Sequence, residues 1–152
     1  MNEIRVKRMV LAGLAMFVMW VALEVLVEGV IADLVFGQAS SEMWRTVIDQ
    51  SEWSGLNTAV STCIAILNCT IMIWLYASLR PMYGVGVKTV LITSAFFVAW
   101  MLSLFVNLTN LGLLPARLAM IEAVFEVVEF PIAMFVGAGV YEGNQEKAGN
   151  GM

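Results

Sequence analysis

The chain has 152 residues, 61% of them apolar and only 13% charged, with a mean hydropathy of +0.86. Soluble domains have an apolar share nearer about half, so this composition excludes a soluble globular domain and points to a lipid bilayer. The formal net charge is −4 and no basic patch occurs, which excludes nucleic acid as a partner.

Four apolar stretches, 9–36, 56–79, 90–114 and 118–141, each exceed the ~20 residues that cross a ~30 Å hydrocarbon core. They predict an all-α integral membrane four-helix bundle. It forms a single transmembrane domain over residues 1–141, with no room for a soluble one. The first stretch follows Arg5, Lys7 and Arg8 and resembles a signal peptide at first sight. A signal's apolar region is about 7–15 residues long and would not carry Glu24, Glu28 and Asp33, so a retained first helix is expected.

The connection over 38–55 is the only long one. Ser40 or Ser41 can cap a short helix with Met43, Trp44, Val47 and Ile48 along one side, and Trp44 and Trp53 suit the headgroup layer. This predicts a short interfacial helix in the outer loop, either an anchor or a lid over the bundle. Cys63 and Cys69 on the second span are about 9 Å apart along the axis and on different faces, so they cannot bridge each other. They read as small buried hydrophobes. The chain has no CxxC and no histidine, which removes the common ligands for haem iron, zinc and copper and the most frequent general base; no cofactor is expected.

Spans two and three are joined by a tight basic turn from Arg80 to Lys88. Its glycines lack the Gly-Lys-Ser/Thr ending of a phosphate loop. On the last span, Pro131 predicts a kink that frees the carbonyl of Val127, and Ala133 with Gly137 offers a small-residue packing surface. Residues 142–152, polar and glycine-rich, predict a disordered cytoplasmic tail. Arg5, Lys7, Arg8, Arg80, Lys88 and Lys147 lie on one side of the spans and only Arg45 and Arg117 on the other, which predicts both termini in the cytoplasm.

Each span carries a polar stripe. At about 100° per residue, Glu24 and Glu28 are about 40° apart, and Glu122, Glu126 and Glu129 fall within about 60°. Asn57, Ser61 and Asn68 cluster on one face of span two, and Ser103, Asn107 and Asn110 on one face of span three. Side chains of this kind facing lipid would lack partners, so the stripes predict a common polar interior. Glu24, Asn68 and Glu129 come out near the midplane and the other stripe residues in the outer half, which predicts a water-filled funnel open to the outside and an apolar cytoplasmic half. Asp33 is on the far side from Glu24 and is left out of the site.

The expected site is Glu24, Glu28, Asn68, Asn107, Glu122, Glu126 and Glu129. No lysine or arginine lies within any span. Five ionised carboxylates would cost ~15 kcal/mol at ~3 kcal/mol each, against a net protein stability of about 5–15 kcal/mol. Some must therefore carry protons, meet water or bind cations.

Trp74-Leu75-Tyr76-Ala77-Ser78-Leu79-Arg80-Pro81 running into Tyr83-Gly84 and Lys88-Thr89, with Leu111-Gly112-Leu113-Leu114-Pro115-Ala116-Arg117 and Glu129-Phe130-Pro131, resembles a group of small four-span bacterial membrane proteins with no assigned activity. The likeness covers most of the chain and implies a bacterial inner-membrane location. Where that group has Asn-Gly four residues after the first-span glutamate, this chain has Glu28-Gly29.

Three functions compete. The first is a carboxylate-lined intramembrane cavity that binds or conducts protons or a hard cation, since oxygen ligands without histidine favour Mg²⁺, Ca²⁺ or Mn²⁺. The second is an accessory subunit of a larger membrane complex, its stripes serving association with a membrane-protein partner or a second copy. An enzyme ranks third, because the chain offers no nucleophile-base pair, no cofactor motif and no Glu-x-x-His pair of a di-iron bundle.

Overall fold

The computed structural model describes residues 3–31, 34–35, 44–45, 47 and 55–149; the side chains of 3–5, 28–29 and 144–149 are outside that description. Among the described residues four long helices are present: α1 (Glu3–Leu26), α2 (Gly55–Tyr83), α3 (Val87–Asn110) and α4 (Ala116–Gly149). Each contains a segment long and apolar enough to cross a membrane, so the chain is a multi-pass membrane protein.

α4 is the hub. It packs on α1, α3 and α2, while α2 also packs on α1 and α3, leaving α1 and α3 at opposite corners. Two tight turns impose the antiparallel course. After α3, Gly112 takes φ 71, and the bonds from Gly112 N to Thr109 O (3.0 Å) and from Leu113 N to Leu108 O (2.9 Å) close a Schellman motif. Pro115 follows and cannot continue α3, and its carbonyl accepts from Ala119 N to open α4. At the other end Gly84 has φ 83 and Gly86 φ 125; Gly84 N donates to Arg80 O and its carbonyl accepts from Thr89 Oγ1. The chain termini and this Arg80–Lys88 turn define the terminal half of the bundle. The α1–α2 connection and the Leu111–Pro115 turn define the loop half.

The terminal half packs by close backbone approach. A Cβ at Gly13 would meet Thr70 Oγ1 at 2.5 Å and Thr70 Cα at 2.8 Å, and one at Gly137 would meet Ile73 Cδ1 at 2.7 Å and Met16 Cβ at 2.9 Å. Small residues let helices in lipid gain dispersion contact where no hydrophobic effect draws them together. The sequence expectation of a packing face at Ala133 and Gly137 agrees with both being buried. At the end of this half Arg80 pairs with Glu142 at 3.1 Å, and Tyr76 Oη donates to Glu142 Oε1 at 3.2 Å.

Several boundaries differ from expectation. α1 stops as an α-helix at Leu26 and continues as a π turn, Val27–Ile31. α4 runs unbroken through Pro131 and on to Gly149, past the expected start of the tail at 142; its Glu-, Gln-, Lys- and Ala-containing end has ordinary helix formers that compensate its glycines. The terminal half is also less apolar than expected, since Thr89, Thr93 and Ser94 of α3 are buried there. Thr93 Oγ1 donates to Thr89 O at 2.8 Å and Thr89 Oγ1 to Gly84 O of the preceding turn, whereas Ser94 Oγ finds no partner among the described residues. Of the expected interfacial helix only Trp44, Arg45 and Val47 lie within the described residues.

Candidate functional site

Three aromatic rings from three helices form a floor between the two halves. Phe97 of α3 stacks on Phe130 of α4 with centroids 3.7 Å apart and planes 8° apart, and Trp20 of α1 meets both edge-on at 6.4 and 6.3 Å. The contact brings Trp20 and Phe130 to one level. Glu24 is one turn beyond Trp20 on α1 and Glu126 one turn beyond Phe130 on α4, both toward the loop end. Those two carboxylates therefore share a layer directly above the rings. Cys69 of α2 is buried in the same core cluster as Phe97 and Phe130, which places α2 beside the rings.

The α4 carboxylates are enclosed. Glu122, Glu126 and Glu129 are 9%, 8% and 4% exposed, whereas Glu24 is half-buried. Their arc on α4 follows from spacings of four and three residues, which stack side chains on one helix face. Glu122, nearest the loop end, accepts a hydrogen bond from Trp44 Nε1 at 2.8 Å. Trp44 and Val47 also pack against a second apolar cluster of Phe105, Leu114, Leu118, Ala119 and Ile121. Trp44 and Val47 of the α1–α2 connection thus lie against the loop end of α4.

The other expected site residues fare differently. Asn68 is half-buried on α2. Asn107 is exposed and its Nδ2 donates to Ser103 O at 2.8 Å; counting degrees assigned it to the stripe but could not say which neighbour the stripe faces. Glu28 belongs to the π turn, where the 100° step that groups it with Glu24 no longer holds; its side chain is outside the described set, as is Asp33.

Two hydroxyl residues of α2 escape a reading based on acids and amides. Thr58 and Thr62 lie on the face of α2 that carries Cys69 and Tyr76, at spacings of four and seven residues, yet both are exposed where Cys69 and Tyr76 are buried. The inward face of α2 is therefore uncovered in the loop half. The repeat of hydroxyls in register with Tyr76 was the available signal.

Among the described residues no three cysteine or acidic side chains stand close enough together to hold a metal ion. A groove of about 290 Å³ between α3 and α4, lined by Phe105, Thr109, Ala119 and others, contains none of the carboxylates. No family model matches the chain, and no curated protein or solved structure matches it, so the class it defines is that of a four-helix multi-pass membrane protein with an enclosed carboxylate layer.

Proposed function

We propose that the protein is a small integral membrane protein whose carboxylate-lined cavity, open toward the outer face, takes up and releases protons or a hard cation. The observation that carries this reading is the burial of Glu122, Glu126 and Glu129 at under a tenth exposure on a helix that must cross hydrocarbon. Intramembrane acids are costly and mark function by default. With no three-ligand grouping among the described residues, protons fit the arrangement better than a metal held by the protein alone.

Both termini are cytoplasmic in this proposal, supported by the distribution of lysine and arginine. The loop half and the Trp44–Glu122 contact then face outward. The aromatic floor and the close-packed terminal half close the inner side.

Reconstitution of purified protein in vesicles with an internal pH dye tests the reading. Imposed gradients should dissipate faster than in protein-free vesicles, and E126Q with E129Q should abolish the difference. An accessory subunit is the alternative, supported by the wide exposed apolar faces such as Val18 at 64% and Val25 at 69%. Co-purification with a larger assembly in mild detergent, with no effect of the glutamine variants on vesicle pH, would favour it. Single cysteines at Ser41 and Gly149 should label from opposite sides of intact membranes; labelling from the same side would reject the proposed topology.

A further inference from the structure

Between the aromatic floor and the terminal surface lie about three turns of α4, from Phe130 to Tyr141, roughly 16 Å. The α1 side of that interval is shut by packing, with Ile73 Cδ1 and Met16 Cβ set against Gly137. The α3 side carries hydroxyls. Because α3 runs toward the loop end, Ser94 and Thr93 come about one turn to the terminal side of Phe97 and Thr89 about two turns, and all three are buried.

These hydroxyls connect to the end of the bundle through a continuous series of bonds. Thr93 Oγ1 donates to Thr89 O at 2.8 Å, Thr89 Oγ1 to Gly84 O at 2.6 Å and Gly84 N to Arg80 O at 2.9 Å. The Arg80 guanidinium then pairs with Glu142 of α4 at 3.1 Å. Tyr76, one turn before Arg80 on the same face of α2, donates to the other oxygen of Glu142 at 3.2 Å and sets its ring edge-on to that of Tyr141, with centroids 6.3 Å apart. Both oxygens of one α4 carboxylate are thus held by one face of α2.

Exposure changes sharply along the series. The side chains of Arg80 and Glu142 are 28% and 21% exposed, so water reaches the pair and weakens it. Tyr76 and Tyr141 beside them are 1% and 5% exposed. A surface contact and a seal are one turn apart. At the far end, next to Thr93 in sequence, Ser94 Oγ is buried with no partner among the described residues. A hydroxyl left unbonded in a bundle surrounded by lipid is costly, and water arriving from the terminal end would relieve that cost.

We propose that the clasp of Arg80, Tyr76 and Glu142 is a gate on the terminal side of the bundle. Closed, it holds α4 on the face of α2 and the two tyrosines seal the interval. Open, it lets water pass Tyr76 and Tyr141, follow the hydroxyls of Thr89 and Thr93 and reach Ser94 beneath the rings. The gate gives the carboxylate layer a second side from which protons or a hard cation are exchanged; that role rests on the carboxylate-cavity reading, whereas the admission of water does not.

Thiol labelling of the full chain, with Cys63 and Cys69 replaced by alanine and S94C introduced, tests the gate. A small charged methanethiosulfonate should react slowly with S94C alone and about fivefold faster once E142Q or R80Q is added, equivalent to ~1 kcal/mol in the closed-to-open balance. M16C, at a buried position on the packed α1 side, should stay slow in every background. Fast labelling of S94C with the clasp intact, no gain in either clasp variant, or an equal gain at M16C would overturn the proposal, the last by showing general loosening. In the vesicle assay E142Q should dissipate the gradient faster than the parent, and E126Q with E129Q should abolish that gain. Labelling gains with no vesicle response in any variant would leave the gate standing and reject the carboxylate reading alone. A vesicle response lost with E126Q and E129Q, but labelling unmoved by E142Q and R80Q, would reject the gate alone.

Discussion

The two halves of this bundle use the same four helices in opposite ways. In the terminal half, Gly13 and Gly137 bring backbones together, the buried hydroxyls of Thr89 and Thr93 donate to carbonyls of the preceding turn and of α3, and Arg80, Glu142 and Tyr76 clasp α2 to α4. In the loop half, Thr58 and Thr62 of α2 are exposed, and three glutamates are enclosed on α4. A helix bundle in lipid is held by packing and hydrogen bonds, not by escape from water. Concentrating tight packing at one end allows the other to remain open and polar. The Trp20, Phe97 and Phe130 rings mark the border.

The contrast can be broken most severely at that border. Phe130→Ala removes a ring that is 1% exposed and stacked on Phe97, and should cost about 3 kcal/mol, the low end for such a truncation because only packing is lost in a bilayer. Reversible unfolding in mixed micelles measures it; a loss below that of any exposed control would show the floor to be unimportant. Next comes Gly13→Val, whose side chain must displace Thr70 backbone; about 1–3 kcal/mol of overpacking is expected. An equally bulky change at the exposed Gly139, where a Cβ meets nothing, should have far less effect on unfolding.

A smaller effect should separate the Trp44 contact from the rest. Trp44→Phe keeps the ring but removes the donor to Glu122, at a cost of about 0.5–1.5 kcal/mol. Hydrogen exchange near the loop end of α4 should speed up while that of α1 near Gly13 does not. Uniform acceleration would mean that the two halves are not independent. The smallest change expected is for Glu142→Gln. The Arg80–Glu142 pair has side chains 28% and 21% exposed, so its loss should be limited to about 0–1 kcal/mol and should shrink in high salt. A larger loss insensitive to salt would assign the clasp's strength to the Tyr76 hydrogen bond.

Composition and periodicity determined a good deal. The four spans, their approximate limits, the tight basic turn from Arg80 to Lys88 and the grouping of Glu122, Glu126 and Glu129 on one face were all legible, because span length is set by bilayer thickness and side-chain direction by the helical repeat. Both quantities are local. Which neighbour a face meets is not local, and only the tertiary structure decided it. Asn107 and Ser103 share a stripe as counted, yet both are exposed and donate back to carbonyls of their own helix. The π turn at Val27–Ile31 broke the 100° ruler at the residue where Glu28 was being placed. Trp44 could be assigned by composition to a membrane surface, whereas its hydrogen bond to Glu122 joins positions 78 residues apart. A helix's own sequence sets what it can present, and the packing of the other three sets what each presented face finds.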